Sequence, residues 1–248
     1  MTNHERANRC GQRRIDAESL RAVVFEPAGV LFDATSRRRR LWQLVTRLGL
    51  PLSYDDFIRP WDAEFLPTVH RAERSYTDAL HWFLSSLRLS AADLSELEAA
   101  VPLRNEPLET GVRPMPGAVR ALNRLSSQGL LLAVLSDSSL PGNELKEQLD
   151  GLGLGGRFGV VVTSADLHTV KPARQNYEAV LAAMGLRAQQ CAMVAGNAGD
   201  LAGACECGWR TIACGGCAYP EADASIATIG QLAEVVSDWT SGQLRAAS

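Results

Sequence analysis

Lysine is almost missing from this chain of 248 residues: of 25 basic residues only Lys146 and Lys171 are lysines, and the other 23 are arginines. Chemistry that needs a side-chain amine therefore has two candidates. A net positive charge is also lacking, since the formal charge is -3 and the pI about 5.9, so no overall field draws the chain to a phosphate backbone and no nucleic-acid partner is expected. No run of about 18 apolar residues occurs, which leaves no candidate for a membrane-spanning helix and no membrane partner. The Arg-rich opening residues lack the apolar stretch of a secretion signal, so a cytoplasmic location is expected. The six cysteines are too few for a disulfide scaffold at this length and are expected to be thiols.

What is present is an ordinary globular composition, 46% apolar and 21% charged, enough for one good core and a modest accessory one. Residues 1–20 are polar and read as a mobile tail. Ala22, Val23, Val24 and Phe25 then form a short continuous apolar run, the pattern of a strand buried on both faces, broken at once by Glu26, Pro27, Ala28 and Gly29. Over residues 36–105 the apolar positions recur at spacings of three and four (Leu41, Leu44, Val45, Leu48; Ala79, Leu80, Phe83, Leu84, Leu87), which predicts a helical insertion. The prolines and glycines of 110–117 mark the return from it.

Beyond Pro116 helices and strands alternate. Helices are expected at 117–127, 143–149, 172–184 and 201–207, and strands at 130–135, 160–163, 191–195 and 210–213. This predicts the α/β class, a doubly wound parallel sheet with an inserted α-helical domain. The expected division is a tail at 1–20, a core of 21–35 with 111–248, and the helical unit at 36–110. In such sheets ligands bind at the carboxyl ends of the strands. The residues to inspect are thus Glu26 to Asp33, Ser136 and Asp137, Lys171 and Pro172, and Gly196 to Asp200.

Taken in order, these segments resemble the four motifs of the haloacid dehalogenase-like (HAD) hydrolase superfamily. The resemblance runs from Arg21 to about Ala213. Glu26-Pro27-Ala28-Gly29-Val30-Leu31 follows the first motif except at its two acids. Leu131 to Ser136 follows the second, Lys171-Pro172 the third, and the frame from Val194 to Ala204 the fourth, with Asp200 kept and Asn197 or Ala195 in place of the other acid.

The resemblance implies a Rossmann-like core with a helical C1 cap and, in the family's phosphatases, a Mg²⁺-dependent phosphohydrolase mechanism. There an Asp attacks phosphorus, a second Asp protonates the leaving group, and Ser and Lys hold the phosphoryl oxygens. Transferred to this sequence, the catalytic positions are Glu26 and Ala28, the phosphate-binding ones Ser136 and Lys171, and the metal-binding ones Glu26, Ala28, Asn197 and Asp200, with Mg²⁺ as cofactor and a small phosphorylated or anionic molecule as partner.

Both catalytic positions are altered. Glu26 projects its carboxylate about 1.5 Å further than Asp would, and a displacement of about 1 Å can cost on the order of 100-fold. Ala28 cannot transfer a proton, a loss of about 10² to 10⁴. Weak or specialised phosphohydrolase activity is expected, or a pseudoenzyme that binds a phosphorylated metabolite or a protein partner without turnover. Asp33 and Asp137 are the carboxylates that could stand in as the acid. Phosphonoacetaldehyde hydrolases also carry Ala-Gly here, but need a cap lysine that residues 36–110 lack. Haloacid dehalogenases need no Mg²⁺ but keep the nucleophilic Asp.

Other features carry more ordinary readings. Arg37 to Arg40 are a solvated face or a contact for an anionic ligand, and Trp42, Trp61 and Trp82 are core of the helical unit. Asp200 doubles as a candidate helix N-cap. Cys205, Cys207, Cys214 and Cys217 do not converge on one metal at their spacing, although Cys214 and Cys217 alone could bind a metal or oxidise.

Overall fold

The structure is a computed structural model that describes residues 18–33, 35–50, 52–71, 73–87, 89–100 and 112–240. Most of the expected tail, 1–17, and residues 101–111, where the expected helical unit ends and the return segment begins, lie outside the described residues. Glu18 to Leu20 do not behave as a tail. Leu20 is buried and its N–H donates to the Trp239 carbonyl, and Ser19 Oγ donates to that of Thr240, so Ser19 and Leu20 pack on the helix Leu232–Thr240.

A parallel sheet of six strands forms the centre. It is built from β1 (Ala22–Phe25), β4 (Leu131–Ser136), β5 (Phe158–Thr163), β6 (Cys191–Ala195), β7 (Arg210–Cys214) and β8 (Ala224–Ile226), in the order β5-β4-β1-β6-β7-β8. The apolar run at Ala22 occupies the middle, and all four of its residues are inaccessible to solvent. Side chains alternate along a strand, so each strand feeds two cores. Val23, Phe25, Val134 and Val194 face the helices Ala118–Ser127, Gly142–Gly151 and Leu232–Thr240. Ala22, Val24, Ala133, Leu135 and Met193 face Tyr177, Val180, Leu201 and Trp209 on the other side. Burying each large side chain stabilises the fold by about 1.5–3 kcal/mol.

The short strands β2 (Phe32–Asp33) and β3 (Arg113–Pro114) pair antiparallel where the chain leaves and re-enters the core, with Asp33 opposite Arg113. Between them lie the helices Thr35–Arg47, Tyr54–Pro60, Leu66–His70, Tyr76–Ser86 and Ala91–Ala100, with a π-helical turn at Trp61–Phe65. Their own core holds Leu41, Val45, Phe57, Trp61, Phe65, Phe83 and Leu97. Trp42 and Trp61 pack there as expected, but Trp82 is 45% exposed, with the Arg74 guanidinium 4.9 Å from its ring centre. The expected role of Arg37 to Arg40 falls on side chains mostly outside the described residues. No helix among the described residues is long and apolar enough to cross a membrane.

Several boundaries differ from expectation. The helix after Lys171 begins at Arg174 rather than at Pro172, because residues 170–173 form a turn in which the Ala173 N–H donates to the Val170 carbonyl. Strand β8 and the helix Leu232–Thr240 were not expected individually. Cys205 is disulfide-bonded, against the expectation that every cysteine is a thiol, whereas Cys191, Cys207, Cys214 and Cys217 are thiols.

Candidate active site

Parallel pairing puts the predicted residues at one rim. Phe25 is in register with Val134 on one side and Val194 on the other, and the Glu26 N–H extends the ladder to the Val194 carbonyl at 3.0 Å. Glu26, Ser136 and the loop after Ala195 therefore leave the sheet at one level. The turn from Val170 brings Lys171 to the same place, where the Asp137 carboxylate accepts its backbone N–H at 3.0 Å.

At that rim Lys171 Nζ sits between two carboxylates. It donates to Glu26 Oε2 in a short contact and to Asp200 Oδ2 at 2.8 Å, and the three side chains are at most 10% exposed. The other Glu26 oxygen, Oε1, accepts from Ser136 Oγ at 3.2 Å and from the Ala28 N–H at 3.3 Å. The longer glutamate side chain is thus pinned at both oxygens. Four sequence-distant candidates, Glu26, Ser136, Lys171 and Asp200, are brought together.

The other two metal candidates are placed differently. Ala28 lies in the turn after β1, exposed, and contributes backbone groups only. Asn197 is exposed and is the N-cap of the helix Ala198–Glu206, its Oδ1 accepting the Asp200 N–H at 2.8 Å. Asn197, not Asp200, is therefore the cap, and Asp200 lies in the first turn of the helix. Of the two stand-in acids, Asp137 is at the rim and Asp33 is on β2.

Burial pushes the Glu26 carboxyl up to about 7, with the Lys171 charge only partly opposing it and Asp200 adding to it. The Asp137 carboxyl is also raised, first by burial, with Lys171 acting against it. Burial pulls the Lys171 ammonium down, but Glu26, Asp200 and Asp137 together outweigh it and hold the amine well above its ordinary range. Lys171 stays charged, and the proton that comes and goes near pH 7 belongs to Glu26.

Mg²⁺ requires near-octahedral oxygen donors at about 2.0–2.1 Å. The residues present do not fit it. The point on which Glu26 and Asp200 converge is filled by an ammonium group that a dication would have to meet, Asn197 Oδ1 is committed to a backbone N–H, and Ala28 has no side-chain donor. Among the described residues no group of three or more His, Cys, Asp or Glu side chains is placed to hold a metal ion.

The surrounding shell holds residues that sequence reasoning missed. Tyr177 OH donates to the Asp200 carbonyl at 2.9 Å, and Gly203 lets the ring approach, since a Cβ there would lie 2.5 Å from that hydroxyl. Ser164 Oγ accepts the Ser138 N–H at 2.9 Å, and Asp166 accepts the N–H groups of Gly142 and Thr163, which ties the loop after β4 to the end of β5. Tyr177 could have been noticed as a tyrosine shortly after the Lys-Pro pair. Its partner, a backbone carbonyl, leaves no trace in sequence.

A doubly wound parallel sheet with a helical insertion after its first strand, and an acid, a hydroxyl and a lysine meeting at the strand ends, is the arrangement of a class of hydrolases built on a Rossmann-like core. The haloacid dehalogenase-like hydrolase family model matches residues 20–208, and the chain belongs to that family. No curated protein matches the sequence significantly. Among solved structures, the L-2-haloacid dehalogenase from Xanthobacter autotrophicus with chloropropionic acid covalently bound is similar at TM-score 0.62 and 20% identity, over 88% of this chain and 98% of that one. A predicted phosphoglycolate phosphatase from Haemophilus somnus 129pt is similar at 0.63 and 15%, over 89% and 99%. A HAD-superfamily hydrolase of subfamily IA from Geobacter sulfurreducens PCA is similar at 0.63 and 19%, over 90% and 99%. At these identities the likeness is one of fold.

Proposed function

We propose that this HAD-like hydrolase chain is a catalytically impaired member of its family, a pseudoenzyme that binds a small phosphorylated or otherwise anionic molecule at Ser136 and Lys171 and turns phosphate esters over slowly or not at all. The observation that carries this reading is the state of Glu26. Both its oxygens are engaged, by Lys171 on one side and by Ser136 and the Ala28 N–H on the other, and no side chain at position 28 can protonate a leaving alkoxide. Attack on phosphorus would have to break the ion pair and expel an unprotonated oxygen. Three carboxylates, Glu26, Asp137 and Asp200, face one ammonium, so an incoming dianion is accommodated when Glu26 takes up a proton. Binding should therefore weaken as pH rises through about 7.

The test is a panel of phosphate monoesters, with and without Mg²⁺, on the natural chain beside Glu26→Asp with Ala28→Asp. Activity confined to the double variant supports the reading, and equal activity in both overturns it. Thermal stabilisation by sulfate, whose charge is constant between about pH 6 and 8, should be larger at the lower value.

A second reading is favoured by Ala28 and Lys171 together. Displacement of a group that leaves without a proton, such as halide from carbon, needs a carboxylate and a fixed cation but no general acid. Halide release from 2-haloacids, measured in the same panel, distinguishes it. Its absence leaves the binding reading standing.

A further inference from the structure

The packing that joins the helical unit to the α/β core is sparse. Its own core of Leu41, Phe57, Trp61 and Phe83 shares no residue with the two cores that flank the sheet, and among the described residues its helices pack chiefly on one another. The chain leaves and re-enters the α/β core at β2 and β3, which pair with each other. A body joined at one such pair can pivot unless a further contact fixes it.

One such contact lies beside the candidate active site. His168 Nδ1 is 3.3 Å from the Arg71 carbonyl oxygen, 97 positions away. A carbonyl only accepts, so Nδ1 carries the hydrogen and donates it. Both partners are held in place. Arg71 ends the helix Leu66–His70, its guanidinium donates to both oxygens of Glu73 at 2.6 and 2.9 Å, and the Glu73 N–H donates to the Thr68 carbonyl. His168 ends the short helix Ser164–Leu167, whose start is closed by reciprocal bonds between Thr163 and Asp166. Three residues further on is Lys171, with its backbone N–H on Asp137. The φ of His168 is 54°, the one positive value at a non-glycine position among the described residues. Glycine is the usual residue at a helix end of this conformation, because a Cβ is unfavourable there. Helix closure alone would be served better by glycine, and what glycine lacks is the imidazole.

We propose that His168 is a latch that holds the helical unit over the turn carrying Lys171 and so restricts entry to the site. Releasing its bond to Arg71 lets the helical unit swing about the β2–β3 pair and admits solvent to Lys171 Nζ. The inference does not depend on what the site binds, and its test uses no ligand.

The experiment labels the full chain with a limiting amount of acetic anhydride and reads both lysines by mass spectrometry, with Lys146 on the helix Gly142–Gly151 as the internal reference. The Lys171 side chain is 1% exposed and should label far more slowly than Lys146. His168→Gly removes the ring and relieves the backbone. It should raise Lys171 labelling relative to Lys146 about 2- to 10-fold, the factor that one ordinary hydrogen bond is worth, with no fall in the urea unfolding midpoint. His168→Asn tolerates the same backbone and places an amide nitrogen where Nδ1 stood, so it should keep the slow labelling. Equal labelling of Lys171 in the natural and Gly chains, none in either included, would overturn the proposal. So would an Asn variant as fast as the Gly variant, or a Gly variant whose midpoint falls.

Discussion

Replacing Lys171 with Met removes the cation from between Glu26 and Asp200 while keeping a side chain of similar length. At 2.8 Å and an effective dielectric of about 20, the attraction in the Lys171–Asp200 contact is about 6 kcal/mol. Most of that is offset by desolvation, which costs several kcal/mol per buried ion, so the intact arrangement contributes little net stability. The variant keeps the desolvation cost of both carboxylates and loses the attraction, for which a loss of about 3–5 kcal/mol is expected.

The loss depends on pH, because facing carboxylates without a cation retain a proton. The folded variant then binds more protons than the unfolded chain above the ordinary carboxylate range, and stability falls as pH rises, by up to about 1.4 kcal/mol per pH unit for each proton. The natural chain has the same sign in a narrower window, since its Glu26 carboxyl is raised from 4.5 to about 7. Urea unfolding followed by circular dichroism at about pH 5.5 and 8 measures both effects. A destabilisation under about 1 kcal/mol at both values, or one larger at the acid end, would refute the placement of Lys171 as the shared counter-ion.

Glu26→Gln should reduce the decline in stability expected of the natural chain between about pH 4.5 and 7, leaving the part due to the raised Asp137 carboxyl, read from unfolding midpoints across that window. Gly203→Ala places a methyl group 2.5 Å from the Tyr177 hydroxyl and 2.8 Å from Pro172 Cβ, and overpacking of this kind should cost about 1–3 kcal/mol, seen as a lower Tm. Asn197→Ala should cost about 1 kcal/mol by urea titration through loss of the cap on the Asp200 N–H, while Asn197→Asp, which keeps an acceptor, should cost less.

The local pattern of the chain was enough to determine the class of fold. A fully apolar run such as Ala22 to Phe25 suits only a strand covered on both faces, and the alternation of such runs with helical segments requires parallel crossovers. Because ligand sites in these sheets lie at the strand ends, Glu26, Ser136, Lys171 and Asp200 could be named from sequence, and the first strand was legible to the residue. Tertiary structure decided what those residues do to one another. That Lys171 lies between two carboxylates, that Glu26 is held by Lys171 and Ser136 and that Tyr177 anchors Asp200 are contacts between segments 23 to 145 positions apart. Spacing along a chain sets which face a side chain occupies within its own element, whereas the partner across the rim is set by the packing of the sheet.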